Sequence, residues 1–319
     1  MIKDSISQCV GDTPLVRLNR CFPDSQSDVI AKLELMNPLG SVKDRPARFI
    51  IERGLQDGWL RPGAHVVEST SGNLGVALAA MCRLHGLSFV AVVDPKTAGA
   101  NLQILEALGA RIEMVTRKDS QGGYLETRIA RAKELADELP DAVWINQYAN
   151  ELNWLAHYHG AGEEIATAID GPIDCLVAAV STTGTILGVA RRLRRDHPNL
   201  RVVAVDAVGS VIFGADPGPR ELPGFGSSRV PELLCEAEID DVVHVDDADS
   251  AHGCRRLAHE EGILAGGSSG AVIAAVERLL EPAGRPARIV ALLADRGDRY
   301  LDLVYNDDWL ERVQVPIAA

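Results

Sequence analysis

The sequence predicts an α/β fold built on mostly parallel sheets. Short apolar runs rich in β-branched residues recur along the chain, and each is followed by a segment with helical periodicity. Alternating strands and helices are typical of parallel sheets, because a helix is the usual crossover between parallel strands. The 319 residues are sufficient for two domains or one large one.

The individual elements follow from this periodicity. The runs predicted as buried strands are 29–35, 65–68, 89–93, 111–115, 175–180, 202–206, 242–245 and 289–293. The segments predicted as helices are 45–57, 74–84, 101–108, 125–139, 152–169, 186–195, 250–260 and 271–280. No long linker marks a domain boundary, and the best position for one is near 149–150. Segment 209–229 is a long loop rich in Gly, Pro and Ser, and such loops are usually lids, site walls or disordered segments.

Composition excludes several classes of function. A net charge of −13 argues against a nucleic-acid or anionic-membrane surface, and aromatic content of 4% leaves few platforms for stacking bases. The six cysteines are scattered without a C-x-x-C pair, which favours buried thiols in a reducing compartment over a disulfide framework or a zinc knuckle. The N-terminus lacks the pattern of a signal peptide, and no apolar run would span a bilayer. We therefore expect a cytoplasmic protein without membrane or nucleic-acid partners.

Lys43 is the first candidate functional residue. It stands in the run Asn-Pro-Leu-Gly-Ser-Val-Lys-Asp-Arg-Pro, residues 37–46, between a strand-like stretch and a helix. A lysine is most often a solvated surface charge. Here a tight turn precedes it and a helix start follows, so partial desolvation would favour a Schiff base between its amine and an aldehyde.

Residues 69–75, Ser-Thr-Ser-Gly-Asn-Leu-Gly, follow a predicted strand and open a helix. Main-chain N–H groups and hydroxyls at the start of a helix bind a carboxylate or phosphate well. The alternative is a serine N-cap followed by a tolerant glycine. Together with Lys43, the anion-binding interpretation is favoured.

Two further polar loops precede helices. The loop Ser181, Thr182, Thr183, Gly184 and Thr185 offers three threonine hydroxyls to a phosphate, and it has neither the P-loop spacing nor G-x-G-x-x-G. The other is the Gly-Gly-Ser-Ser-Gly-Ala run at 266–271. A plain capping turn is the alternative for the first, and a glycine-rich helix entry for the second.

An amine, a carboxylate cradle and a phosphate cradle are together what a pyridoxal phosphate enzyme needs. Asn73 would then hydrogen-bond the cofactor's ring oxygen. A side-chain amide has both a donor and an acceptor, so it can pair with that oxygen whether or not the oxygen is protonated. A hydroxyl in run 266–271 would face the pyridine nitrogen. A neutral serine does not hold that nitrogen protonated, which suits replacement at the β-carbon better than transamination.

A metal site is disfavoured. His157 and His159 lie near Glu163 and Glu164, but their spacing places no clean set of ligands on one helix face.

In order and spacing, these segments resemble the cysteine synthase and cystathionine β-synthase family of fold-type II pyridoxal phosphate enzymes. The resemblance extends over residues 5–305. The matching motifs are residues 11–16, 41–45, 69–75, 181–185, 267–271 and 297–300.

The resemblance implies a role for each motif. Lys43 would form the Schiff base and move the α-proton, Asn73 would meet the ring oxygen, and Ser268 would face the pyridine nitrogen. Residues 181–185 would bind the cofactor phosphate. The substrate carboxylate would lie against Ser69, Thr70, Ser71, Gly72 and Gln147.

Departures from the usual pattern indicate one branch of the family. Ser181 and Thr183 stand where cysteine synthases usually have glycines, and Tyr148 stands where they usually have phenylalanine. With segments 94–96, 122–128, 208–214 and 220–224, these changes resemble a branch that takes O-phospho-L-serine. It eliminates phosphate to an aminoacrylate and adds the amine of L-glutamate, in 2,3-diaminopropionate and siderophore biosynthesis.

The departures also have a physical reason. Sulfide needs no binding groups, whereas a phosphate leaving group and a dicarboxylic amino acid need donors and cations. Tyr148 and Ser181 would supply hydroxyls, with Arg128 or Arg220 as the anion partner. The alternative for either arginine is an ordinary surface charge.

The resemblance also implies the architecture. It predicts a tryptophan synthase β-like pair of three-layer α/β/α domains, with the cofactor in the cleft between them, in a homodimer. The smaller domain would be 40–150, and the larger would be 1–39 with 151–319.

Other functions stay open. A cysteine synthase using O-acetylserine or O-phosphoserine is the nearest alternative. A catalytically idle binding or scaffold subunit is disfavoured because it would not need Lys43, Asn73 and both cradles. A nucleotide-binding oxidoreductase is disfavoured because no G-x-G-x-x-G is present.

Overall fold

The computed structural model describes residues 2–23, 26–120, 122–280 and 287–314. By its contacts the chain divides into two compact units. The first unit comprises Met1–Val10 and Lys43–Ala156, and the second comprises Gly11–Val42 and His157–Ala319. The chain therefore passes from one unit to the other immediately before Lys43.

Strands and helices alternate along most of the chain. The strands are β1 (Leu15–Arg17), β2 (Asp28–Leu33), β3 (His65–Ser69), β4 (Ser88–Val93), β5 (Arg111–Met114), β6 (Ala142–Trp144), β7 (Cys175–Ala179), β8 (Arg201–Ala207), β9 (Asp241–Val245) and β10 (Arg288–Leu293). The helices are α1 (Asp44–Asp57), α2 (Asn73–Leu84), α3 (Gly99–Ala107), α4 (Leu125–Glu138), α5 (Leu152–His157), α6 (Glu163–Ala168), α7 (Gly184–Leu193), α8 (Asp247–Arg256), α9 (Gly267–Leu280) and α10 (Asp307–Gln314).

The first unit is built on a sheet with strand order β5-β4-β3-β6, and every neighbouring pair is parallel. Val67, Val90 and Val92 pack against Ala132 and Leu135 of α4. Parallel strands end at the same edge of a sheet, and ligands of α/β proteins bind beyond that edge. The loops after β3, β4 and β6 therefore lie side by side.

The second unit is built on a sheet with strand order β1-β2-β10-β7-β8-β9. Among the described strands of this sheet, only β1 pairs antiparallel, with β2. Successive residues of β7 enter two separate cores: Val177 packs with residues of α8 and α9, and Leu176 packs with residues of α7. Helices thus cover both faces of this sheet.

The expected α/β fold with mostly parallel sheets is confirmed, with local corrections. β1 and β6 were not predicted because three residues are too few to show a period, and the eight-residue α10 was also not predicted. The predicted helix 152–169 contains a π-helical turn at Tyr158–Gly162 between α5 and α6. The predicted helix 250–260 ends in another at Leu257–Glu261, and the predicted strand 29–35 stops at Leu33. None of the helices in the described ranges has the length and apolar character that a bilayer-spanning helix needs.

Candidate active site

Lys43 is the residue immediately before α1. It is half-buried, and its carbonyl accepts a hydrogen bond from the Ala47 N–H at 3.1 Å. Pro46 in the first turn of α1 needs no hydrogen-bond acceptor, which suits it to a helix start. The amine therefore extends from a well-defined backbone position.

The loop after β3 leads directly into α2. Ser69 and Thr70 are buried, whereas Ser71, Gly72 and Asn73 are half-buried. The Thr70 hydroxyl accepts a hydrogen bond from the Gly75 N–H at 3.0 Å. Because a hydroxyl carries one donor and two acceptor sites, Thr70 can still donate to an anion. Asn73 is the first residue of α2, at the positive end of the helix dipole.

Gln147 lies beside this loop because β6 pairs with β3. Its side-chain amide donates to the Ser69 carbonyl at 3.2 Å, and its main-chain N–H donates to Oε2 of Glu68 at 3.3 Å. Complete burial raises the pKa of the Glu68 carboxyl to about 8, although neighbouring main-chain donors oppose the rise. Asn153 donates to the Gln147 carbonyl at 2.8 Å, so this residue is held on both sides. The neighbouring Tyr148 is buried.

Arg128 forms an ion pair in the first unit. Its Nε lies 3.3 Å from Oδ2 of Asp94, and both side chains are nearly buried, with 12% and 9% exposed. Asp94 directly follows β4, so the pair lies at the same sheet edge as the loop after β3. Segments 94–96 and 122–128 are both unusual in sequence, and this ion pair joins them.

Several buried polar atoms near this edge make no hydrogen bond to the described residues. They are Ser69 Oγ, Asn101 Oδ1, and Nε and Nη1 of Arg128. The Asn101 amide donates to the Ser71 carbonyl at 3.0 Å, which fixes its oxygen as the atom without a partner. Leaving such groups unsatisfied costs about 1–3 kcal/mol each, so the edge is suited to a polar or anionic ligand.

The second unit carries the loop Ser181–Thr185 between β7 and α7. Thr182 and Thr183 are buried, and Gly184 is the first residue of α7. Thr183 has φ of +64°, an uncommon conformation for a β-branched residue, and its hydroxyl donates to the Thr182 carbonyl at 2.7 Å. Successive N–H groups in such a turn, at a helix N-terminus, form a concave site for an anion.

His157 supports this loop from α5. It is fully buried, and its Nε2 lies 3.2 Å from the Thr185 hydroxyl. The sequence drew attention to His157 only as a possible metal ligand. Across the described stretches, no group of three or more His, Cys, Asp or Glu side chains is arranged to hold a metal ion.

Ser268 and Ser269 occupy the first turn of α9, and both are buried. The Ser269 hydroxyl accepts a hydrogen bond from the Ala294 N–H at 2.9 Å, so it is engaged inside the unit. Ser268 is therefore the better candidate of the two for binding a ligand.

Arg220 lies in the long loop after β8, where its guanidinium donates to the Ser228 hydroxyl at 2.9 Å.

Four residues with a place in these arrangements were not assigned a role from the sequence. They are Glu68, Asp94, Asn101 and His157. Each is an isolated polar residue in the sequence, and its hydrogen-bond or ion-pair partner lies between 28 and 79 positions away. No local motif indicates such a residue.

Comparison with known proteins places the chain in a family. The family model described as pyridoxal-phosphate dependent enzyme matches residues 6–295. The chain is 64% identical over 313 residues to the N-(2-amino-2-carboxyethyl)-L-glutamate synthase of Ralstonia nicotianae. It is 58% identical over 316 residues to the protein of the same name from Cupriavidus metallidurans. Each alignment covers 98% of this chain and 93% of the relative.

Among solved structures, the chain is similar to O-ureido-L-serine synthase. The two are 33% identical, with a TM-score of 0.89 and 96% of each chain covered. These comparisons confirm the resemblance and the fold class inferred from the sequence, and with them the use of pyridoxal phosphate.

Proposed function

The chain belongs to the family of pyridoxal-phosphate dependent enzymes, and on that premise we propose that it joins O-phospho-L-serine to L-glutamate. The products are N-(2-amino-2-carboxyethyl)-L-glutamate and phosphate, and the product would feed 2,3-diaminopropionate and siderophore biosynthesis. The observation that carries the proposal is the identity of 64% and 58% to two synthases of that name along nearly the whole chain. The geometry supplies groups suited to both substrates.

The residues present fit the cofactor. Bound pyridoxal phosphate supplies an electron-withdrawing ring that acidifies the α-hydrogen of an amino acid. Lys43 would hold it covalently through its amine and would serve to move the proton at the α-carbon. The N-terminus of α7 with the hydroxyls of Ser181–Thr185 suits a phosphate dianion. Asn73 would bind the ring oxygen, and the neutral hydroxyl of Ser268 the pyridine nitrogen.

The substrate carboxylate is assigned to the loop after β3. Thr70, Ser71 and the N-terminus of α2 offer donors, with Ser69 and Gly72 beside them and Gln147 held next to the loop by Glu68. A carboxylate bound there would be oriented by several hydrogen bonds at once, which fixes the α-carbon for proton removal.

Arg128 is the proposed partner for a second anionic group, either the phosphate that leaves or a glutamate carboxylate. Two of its buried nitrogens lack hydrogen bonds to the described residues, and its counterion Asp94 does not provide them. A substrate oxyanion would accept charge-assisted hydrogen bonds from these two nitrogens, and such bonds are stronger than those between neutral groups. Tyr148 and Ser181 would add hydroxyls, and Arg220 is the other candidate cation.

The decisive experiment mixes purified protein, pyridoxal phosphate, phosphoserine and glutamate. We expect phosphate release matched one-to-one by a product with the mass of the conjugate. Lys43→Ala should lower the rate at least about a thousandfold, whereas Lys118→Ala, at an exposed lysine of the same unit, should not. If sulfide is consumed well and glutamate is not, the cysteine synthase alternative replaces this proposal.

Arg128→Leu tests the anion partner in the same assay. Loss of a charge-assisted hydrogen bond should raise KM about tenfold or more for the substrate that Arg128 contacts. Whether phosphoserine or glutamate shows the rise identifies the group that is bound. Equal and unchanged KM values would remove Arg128 from the substrate site.

Two wider expectations are part of the proposal. A cytoplasmic location is supported by the cysteines, all six of which are free and four of which are buried. A homodimer is expected from the family, and the molecular mass in solution by light scattering tests it.

A further inference from the structure

Residues 35–42, which we call the approach segment, lead directly into Lys43. We infer that Asn37 and Arg299 are positioning residues that fix this segment and thereby set how readily the Lys43 amine bonds to the cofactor. The inference rests on the proposed role of Lys43. It assigns a task to the motifs at 11–16 and 297–300, which the proposed chemistry leaves without one.

Asn37 connects the approach segment to the opening motif. It is fully buried, its Oδ1 accepts from the Gly11 N–H at 2.9 Å, and its amide donates to the Glu34 carbonyl at 2.9 Å and to the Glu34 carboxylate at 3.1 Å. The Thr13 hydroxyl donates to the same carboxylate at 2.7 Å. One side chain thus ties two turns together, and every contact lies in the second unit.

Two arginines around the second motif hold the main chain of the approach segment. Arg299 donates from Nη2 to the Leu39 carbonyl at 2.8 Å. Arg296 donates from Nε to the Leu35 carbonyl at 3.0 Å, and its main-chain N–H donates to the Gly40 carbonyl at 3.1 Å. Three of the segment's carbonyls are therefore fixed by donors from one short stretch.

The last residues before Lys43 are fixed by the sheet. The Val42 N–H donates to the Ala294 carbonyl, one residue after β10, at 2.8 Å. Gly40 has φ of +88°, and a β-carbon there would lie 3.1 Å from Cδ of Arg296, so the turn needs glycine and fits closely against that arginine.

The consequence for Lys43 is entropic. Each hydrogen bond contributes a net stabilisation of about 0.5–1.5 kcal/mol to this conformation of the turn. Losing one therefore raises the population of other conformations, in which the amine is not correctly placed. A covalent bond to a bound aldehyde forms only from conformations that place the amine correctly. Loosening the segment should therefore weaken cofactor attachment while the folded unit persists.

The test titrates apo-protein with pyridoxal phosphate and follows absorbance, with borohydride reduction and peptide mass mapping to locate the attached lysine. Asn37→Ala and Arg299→Ala should each raise the Kd for the cofactor about tenfold and slow attachment. Arg299→Lys retains a donor for Leu39 and should recover most of the affinity. Asn306→Ala removes a helix cap of α10 in the same unit and should stay within about twofold of the parent.

The outcomes separate this inference from the proposed function. Attachment at a lysine other than Lys43 overturns the proposed cofactor lysine itself. Attachment at Lys43 with an Arg299→Ala affinity equal to that of Asn306→Ala overturns the positioning role. Circular dichroism of each apo-protein at the assay temperature verifies folding, and because Arg299 is only half-buried, its variants keep the test decisive if Asn37→Ala does not fold.

Discussion

The loop after β3 in the first unit and the loop after β7 in the second have the same plan. Each follows a parallel strand, carries hydroxyl residues and opens a helix. They differ in how they are held. In the first loop, the Thr70 hydroxyl accepts from the Gly75 N–H, and no described residue from 69 to 73 has a left-handed backbone. In the second loop, Thr183 adopts φ of +64° and Thr185 contacts the buried His157.

The difference indicates two ways of supporting the proposed anion sites. The first loop has an ionisable group beside it, the buried carboxyl of Glu68, which accepts a hydrogen bond from the Gln147 main-chain N–H. The second depends on a strained backbone and on the contact between Thr185 and the buried His157 side chain. The first should therefore respond to pH, and the second to changes in backbone freedom.

The largest effect is expected from Glu68→Gln. Because burial raises the pKa of Glu68 from 4.5 to about 8, the folded protein keeps a proton that the unfolded chain releases between these values. The stability contributed by this group is full below pH 4.5 and is lost as the pH rises through about 8. The variant lacks this loss, so its stability relative to the parent should grow by on the order of a few kcal/mol from pH 5 to pH 9.

Urea unfolding of both proteins across that pH range measures the effect. Glu52→Gln, at a more exposed carboxylate of the same unit, is the control. Its free energy of unfolding relative to the parent should stay constant across the pH range. If the Glu68→Gln curve runs parallel to the parent curve, the carboxyl is not the charge-sensitive support of the first loop.

The next effect separates the two loops by ligand. Thr185→Val should weaken binding of pyridoxal phosphate about tenfold, because the proposed phosphate donor and a contact of His157 are lost together. Thr70→Val should instead raise the KM for phosphoserine about tenfold and leave cofactor affinity unchanged, since it removes the cap of Gly75. Thr70→Ser and Thr185→Ser keep the hydroxyls and serve as controls. A single variant that moves both constants equally would show that the loops do not divide the ligands.

The sequence was sufficient for the loops but not for their supports. Ser69–Asn73 and Ser181–Thr185 lie at strand-to-helix junctions, and Lys43 directly precedes a helix. Periodicity and polar composition predict all three positions. Glu68 has the appearance of any acid at the end of an apolar strand. Its partner Gln147 is 79 residues away, and it becomes a neighbour only because β6 pairs with β3, through a three-residue strand too short to predict.

The same reasoning applies to Arg128 and Asp94. Their pairing depends on α4 packing against the sheet that contains β4, and neither residue type nor spacing states which of several arginines will reach the strand end. Side-chain partners at a sheet edge are fixed by strand order, which is a property of the whole unit. Resemblance to a family supplied Gln147 as a candidate, no feature of the sequence supplied Glu68, and the sequence indicated His157 only as a possible metal ligand.

The smallest effect tests the backbone strain directly. Alanine is ordinarily more favourable than glycine because it loses less backbone entropy on folding, by about 0.5–1 kcal/mol. In the left-handed region an L-residue pays roughly 1–2 kcal/mol that glycine avoids. Thr183→Gly should therefore be more stable than Thr183→Ala by about 1 kcal/mol, whereas Ser71→Gly should be no more stable than Ser71→Ala, since φ is not positive there. Urea unfolding of the four variants measures both differences in stability. If the alanine variant is the more stable one at both positions, the backbone at Thr183 is not strained.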